Sequence, residues 1–150
     1  MIPLKQQLID ACQAQLSEKI AALEKTLAAI QESKNNETKS SAGDKYETGR
    51  AMMQMEADKI ESQLDISRKM LQQIRQIKPS MGANTVDIGS LVKTNQRTYF
   101  ISVSLGKLRL DGQLYYCISP QAPLAKLMMG KQAGDGVELN GRVERIVEVG

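Results

Sequence analysis

The period of the hydrophobic pattern changes once along this chain, at Pro79, and that change constrains the fold more than any other feature. After Pro79, apolar and polar residues alternate, which is the pattern of half-buried strands. Before Pro79, apolar residues recur every three or four positions, which is typical of a coiled-coil seam. The two seams consist of Leu16, Ile20, Leu23, Leu27 and Ile30, and of Met53, Ile60, Leu64, Leu71 and Ile74. We therefore predict an α+β protein, with a helical domain over residues 1–79 and a sheet domain over residues 80–150.

The first domain is predicted to be an antiparallel coiled-coil hairpin. One helix is expected from Leu4 to about Ser33 and a second from Asp44 to Ile77, with the polar segment Lys34 to Gly43 joining them. Helices of about 30 residues reach roughly 45 Å. Because two helices alone bury little apolar surface, the pattern favours an arm that reaches outward and not a compact core.

The second domain is predicted to be a small, mainly antiparallel sheet with one short helix. Asp111-Gly112 and Asn140-Gly141 are turn signals, and the second lies between two alternating apolar runs, as in a β-hairpin. The helix is expected over Pro123 to Met129. The predicted strands are Val86 to Thr94, Arg97 to Ser104, Leu114 to Ile118, Val137 to Leu139 and Val143 to Val149.

Composition excludes several classes of function. The chain has no His, which removes Ser-His-Asp and Cys-His catalysis and His-containing metal sites. Its net charge of +3 is small, and neither half is strongly basic, so unassisted binding to duplex nucleic acid is not expected. Cys12 and Cys117 have no metal-binding spacing and are interpreted as buried, reduced residues. Neither a signal peptide nor a membrane span is predicted, so the protein is expected in the cytoplasm.

Two acids stand where the second helix should begin. Asp44 and Glu47 are three residues apart, so they share one helix face and their carboxylates suit a hard cation such as Mg²⁺. The same pair also fits a capping box, in which Asp44 accepts from amides of the first turn and Glu47 reaches back to the amide of Asp44. Tyr46 lies between them, either packed at the tip or exposed for contact. The two interpretations of the acids are compatible, since a capped tip is also rigid.

Two stretches resemble the Gre family of bacterial transcription elongation factors. Gly43-Asp44-Lys45-Tyr46-Glu47 is similar to the family's tip motif Gly-Asp-x-x-Glu-Asn-Ala-Glu-Tyr. Ala122-Pro123-Leu124-Ala125-Lys126-Leu127-Met128-Met129-Gly130-Lys131, followed by Gly134-Asp135-Gly136-Val137, resembles the family's Ser-Pro-Leu-Gly-x-x-Leu-x-Gly-Lys-x-x-Gly-Asp-x-Val. The second motif is the more specific, because its apolar, Pro and Gly positions match in order.

The resemblance implies a coiled-coil hairpin followed by an FKBP-like domain that binds RNA polymerase at its secondary channel. The hairpin would enter the channel, and Asp44 and Glu47 would help to hold an Mg²⁺ ion of the polymerase, which hydrolyses backtracked RNA. The protein would then have no active site or cofactor of its own, and would meet the RNA 3′ end only inside the polymerase. Pro123 and Leu124 would contact the polymerase. Their structural alternatives are helix initiation for Pro123 and core packing for Leu124.

Departures from the family pattern keep other functions open. After Glu47 the family's Asn-Ala-Glu-Tyr is Thr48-Gly49-Arg50-Ala51, so a base replaces an acid, and the family's Ser before Pro is Ala122. Arg50 would weaken metal binding or pair with a phosphate. The second hypothesis is therefore a regulator that occupies the secondary channel without stimulating cleavage. A third is a homodimer whose helices pair between chains, although we expect a monomer.

Overall fold

The helices precede the sheet, as the change of hydrophobic period predicts. The computed structural model describes the backbone of residues 1–40 and 44–150, and the side chains outside residues 37–46. The predicted α+β class, a helical hairpin followed by a small sheet with one short helix, is confirmed. The described elements are α1 (Ile2–Ser40), α2 (Asp44–Gln76), β1 (Leu91–Thr94), β2 (Thr98–Ile101), β3 (Gly106–Leu110), β4 (Gln113–Ile118), α3 (Pro123–Met128), β5 (Gly136–Leu139) and β6 (Arg142–Val149).

The chain divides into two compact units. Residues 15–71 form one unit, and residues 1–14 together with residues 72–150 form the other. Pro79 marks the change from helix to strand, but both ends of the helical hairpin belong to the unit that contains the sheet. No helix in the described part of the chain is both long and apolar enough to cross a membrane.

The hairpin unit buries the predicted seams. Leu16 and Leu64 are fully buried, Ala57 joins them, and the other seam positions within this unit are half-buried. Arg68 donates to Glu24 of the facing helix at 3.2 Å. Seam residues are therefore buried while the charged residues beside them stay exposed, as in a two-helix coiled coil.

The first helix is longer than the sequence pattern indicates. It was expected to end near Ser33, but α1 continues to Ser40. The polar residues after Ser33, among them Asn35 and Asn36, are weak helix formers that cost only about 0.7 kcal/mol each relative to Ala. Neither Gly nor Pro occurs between Ser33 and Ser40, so nothing in this stretch stops the helix.

The sheet has six strands in the described residues, in the order β3-β4-β2-β1-β6-β5. The β2–β4 pair is parallel, and the other four pairs are antiparallel, so the prediction of a mainly antiparallel sheet is confirmed. Both predicted tight turns have positive φ at their two central residues: 49° and 78° for Asp111 and Gly112, and 53° and 79° for Asn140 and Gly141. These values are typical of the type I′ turn that joins adjacent strands.

Both faces of the sheet are buried at its centre. One face carries the main apolar cluster, whose fully buried members are Val86, Val92, Tyr99, Ile101, Ala125, Met128, Val137 and Ile146. On the other face, Phe100 pairs with Cys117 across neighbouring strands, and Cys12 of α1 lies against Cys117. The start of α1 therefore covers the second face, with Leu8 and Ile9 buried beside Cys12 in the sequence.

Two strand predictions were wrong. The strand expected from Val86 begins only at Leu91, because Gly89 has a φ of 85°, which is incompatible with extended strand geometry. The strand β3 was missed altogether. Its sequence alternates polar and apolar residues only from Lys107 to Leu110, and only Leu108 of its five residues is buried, so the signal is at the short limit for a strand.

Candidate functional sites at the hairpin tip and at α3

Glu47 lies in the first turn of α2 and is exposed to solvent. It lines an open cavity of about 320 Å³, which we call the tip cavity, together with Lys34, Arg50, Ala51 and Gln54. The backbone of Asp44 begins α2, but its side chain lies outside the described residues. The predicted pairing of the Asp44 and Glu47 carboxylates, and the position of Tyr46, therefore stay predictions.

Two cationic side chains share the tip cavity with Glu47. Lys34 donates from Nζ to Oε1 of Gln54, and Gln54 in turn donates to Asp58 at 2.8 Å. Arg50 is half-buried in the wall of the same cavity. A cation beside a carboxylate disfavours a divalent metal by direct repulsion but favours a phosphate group. The tip cavity thus presents one carboxylate and two cations among its described side chains. No group of three or more His, Cys, Asp or Glu that could hold a metal ion occurs among the described residues.

The C-terminal motif folds as α3. Pro123 occupies its first turn and is exposed, and its fixed φ suits that position. Ala122 precedes it without a side-chain cap, and the amide of Lys126 donates to the carbonyl of Ala122 at 2.9 Å. Pro123 is thus placed to start the helix, and its exposure also leaves it open to a partner.

The position of Leu124 is compatible with both alternatives that the sequence left open. It packs against the main apolar cluster while remaining half-exposed. It also lines a cavity of about 370 Å³, which we call the arginine cavity. The other residues around this cavity are Arg97, Tyr99, Val137, Leu139, Asn140, Arg142 and Glu144. Pro123 is not among them, so of the two predicted contact residues Leu124 lines this cavity and Pro123 does not.

A hydrogen-bonded cluster holds the floor of the arginine cavity. The Tyr99 hydroxyl donates to the Glu144 carboxylate, with O···O distances of 2.8 and 2.9 Å, and Thr94 Oγ1 lies 2.8 Å from the same carboxylate. The guanidinium of Arg97 lies 4.7 Å from the centre of the Tyr116 ring, a cation–π geometry. Burial, together with the hydrogen bond to Glu144, raises the pKa of Tyr99 above its ordinary value. The Tyr99 phenol is therefore neutral at physiological pH and acts as a fixed donor.

Sequence reasoning missed the two arginines of this cavity. Arg97 follows the turn between β1 and β2, and Arg142 follows the Asn140–Gly141 turn. Antiparallel pairing of β1 with β6 brings these turns to one end of the sheet, where Asn95 and Arg145 exchange backbone and side-chain hydrogen bonds of 3.0 and 2.9 Å. The signal that would have found them is a basic residue directly after each of two turns. It becomes useful only once the strand order is known.

Comparison with known proteins gives a likeness to solved structures alone. No family model matches the chain, and no curated protein matches it. The crystal structure of GreA factor homolog 1 (Gfh1) of Thermus thermophilus shares 17% identity, over 93% of this chain and 95% of that chain, with a TM-score of 0.40. A structure of the transcription factor Gfh1 shares 18% identity over 93% of each chain, also with a TM-score of 0.40.

Proposed function

We propose that this chain is a Gre-type transcription factor that binds RNA polymerase at its secondary channel and stimulates cleavage of backtracked RNA. The observation that carries the proposal is the exposed Glu47 carboxylate at the start of α2, within a motif that resembles the Gre tip. The proposal is also supported by Leu124, whose motif forms a helix beside a concave surface. The protein would act as a cytoplasmic monomer and would have no active site of its own.

The residues of the tip fit a metal that the polymerase supplies. Glu47 offers an exposed carboxylate, and Asp44 starts the same helix three residues earlier. Carboxylate oxygens are preferred ligands of Mg²⁺, which usually keeps water and substrate phosphates as its other ligands. When bound, the metal supplies activation of water for phosphodiester hydrolysis. In the proposal, Asp44 is the principal ligand of the tip and Glu47 supports the metal or its water.

A second function is favoured by the cations of the tip cavity. Lys34 and Arg50 line it together with Glu47, so Mg²⁺ would have to bind beside two positive charges. In this alternative the protein occupies the secondary channel and modulates the polymerase without stimulating hydrolysis. The cations would then pair with phosphate groups of the polymerase's substrates or RNA, and Asp44 and Glu47 would serve as helix caps.

The deciding experiment uses a backtracked elongation complex of the cognate polymerase with Mg²⁺ and a labelled RNA whose 3′ end is extruded. Wild-type protein is expected to release short RNA, whereas Asp44→Asn/Glu47→Gln should lower the rate by at least about tenfold, as expected when ligand carboxylates are lost. Glu56→Gln/Glu61→Gln is the matched control, since it removes the same charge from exposed positions farther along α2. If neither wild type nor the tip variant releases RNA while both bind the polymerase, cleavage is excluded and the channel-occupying function stands.

Binding is tested separately at α3. Leu124→Ala should weaken binding to the polymerase about tenfold, in the range found for buried interface anchors. Leu127→Ala provides the control on the same helix, because Leu127 is 40% exposed and does not line the arginine cavity. Equal affinities of the two variants, measured by titration of labelled protein with polymerase, would remove Leu124 from the proposed interface.

A further inference from the structure

The two cysteines of the chain, 105 residues apart in sequence, lie in contact inside the unit that contains the sheet. Cys12 Sγ of α1 lies 3.7 Å from Cys117 Sγ of β4. Cys12 is 0% exposed and Cys117 is 1% exposed. The sequence interpretation of both as buried is confirmed, but their contact could not be foreseen, since it depends on how α1 packs against the sheet.

The surroundings leave the pair few chemical roles. A structural zinc site needs four ligands, and the described residues hold no group of three or more metal-ligating side chains. Two thiols in contact can, however, form a disulfide, which brings the sulfur atoms to about 2.05 Å. We propose that Cys12 and Cys117 form a reversible disulfide that fastens the start of α1 to the sheet when the protein meets a hydroperoxide.

The positions of the two thiols in the fold give them different roles. Cys12 lies in α1, on the segment whose local opening would admit an oxidant, whereas Cys117 lies in the strand β4. Cys12 is therefore the thiol expected to react first, as the thiolate, which is the nucleophile. Its sulfur attacks one peroxide oxygen, breaking the O–O bond and giving a sulfenic acid and water. Cys117 then attacks the Cys12 sulfur and displaces its oxygen as a second water, so that two thiols and one H₂O₂ give one disulfide and two waters.

The bond would act on a segment that the structure already anchors. Lys5, seven residues before Cys12, is buried, and its Nζ donates to the carbonyl oxygens of Met81 and Gly82 at 2.5 and 3.3 Å. Local opening of residues 1–14 is the route by which a small oxidant reaches the thiols, since both are fully buried in the closed form. The disulfide would suppress that opening and make the attachment covalent. The proposal does not depend on the polymerase function.

The test exposes the folded, full-length protein to hydrogen peroxide and counts free thiols after quenching under denaturing conditions. Wild type should lose both thiols, lose 2 Da in intact mass and remain a monomer on a non-reducing gel, and dithiothreitol should restore both thiols. Cys12→Ala/Ala11→Cys is the matched control. It keeps two thiols but moves one of them around the helix, so it should form the intramolecular bond at least about tenfold more slowly.

Hydrogen exchange gives a readout of the fastening itself. In oxidised wild type, amides of residues 1–14 should exchange at least about tenfold more slowly than in the reduced protein. Cys117→Ser should show no such change under peroxide. The proposal is overturned if folded wild type keeps both thiols, if it gives sulfinic acids or intermolecular dimers, or if the control variant forms the bond equally fast. It is likewise overturned if the bond forms without slowing exchange at residues 1–14.

Discussion

The Tyr99–Glu144 hydrogen bond is predicted to contribute strongly to the free energy of unfolding of the unit that contains the sheet. The size of this contribution follows from the burial of Tyr99. Tyr99 is 2% exposed, and its hydroxyl has the Glu144 carboxylate as acceptor at 2.8 Å. Glu144→Ala leaves this buried donor without its acceptor, which costs about 2 kcal/mol in the free energy of unfolding. Tyr99→Phe removes the donor and leaves Glu144 half-exposed beside Thr94, so it should cost about 1 kcal/mol.

A double-mutant cycle measures the coupling. The double variant should be destabilised by about 1 kcal/mol less than the sum of the single variants, because the second change removes a group that the first has already left unpaired. The assay is urea unfolding followed by circular dichroism. Glu148→Ala is the control, since Glu148 is exposed on the same strand. Coupling below about 0.3 kcal/mol would refute the reasoning, because contacting residues would then behave as independent sites.

Three further predictions rest on single residues. The difference between the tyrosinate absorbance titrations of wild type and Tyr99→Phe should appear only above pH 10, because the pKa of Tyr99 is raised on folding. The stabilisation by neutral Tyr99 is complete below the ordinary tyrosine pKa and is lost as pH rises through the folded-state pKa. A difference centred at or below pH 10 would contradict this prediction. Ser67→Ala should raise the free energy of unfolding by about 1 kcal/mol in urea, since Ser67 Oγ is the buried side-chain polar atom without a partner among the described residues; a loss of stability would indicate a bridging water. Gly82→Ala should lower the midpoint of thermal unfolding by the equivalent of at least about 2 kcal/mol. Gly82 has a φ of 69°, and the Cβ of an alanine there would lie 2.6 Å from the amide nitrogen of Ser90. An unchanged midpoint would show that the turn can shift.

The helical half of the fold could be predicted because its information is local. A seam residue such as Leu64, which is buried, can be recognised from the heptad spacing within its own helix. The turn at Asn140–Gly141 is equally local, since few residues other than Asn and Gly adopt positive φ at low cost. Where local signals were weak, prediction failed. The alternation in β3 covers only Lys107 to Leu110, and the polar residues before Ser40 do not end the helix.

The candidate sites also divide into those that local sequence predicts and those that it does not. The sequence motifs identified Glu47 and Leu124, both of which stand on accessible cavities in the structure. The arginine cavity itself and the contact between the two cysteines arise from strand order and helix packing, which bring together residues about 45 and 105 positions apart. Such contacts leave no trace in the periodicity of one sequence. They are determined by the tertiary fold.

The division into two compact units makes the proposed function separable by mutation. The tip cavity belongs to residues 15–71 and the arginine cavity to the other unit, and the two share no lining residue. Substitutions without shared partners contribute additively to free energies. Glu47→Gln should therefore lower the rate of RNA release at saturating protein without changing affinity for the polymerase, and Leu124→Ala should lower affinity without changing that rate. Their combination should give the product of the two effects at low protein concentration. A change in affinity caused by Glu47→Gln would mean that the tip carboxylate contributes to binding as well as to chemistry, and would refute the separation of the two roles.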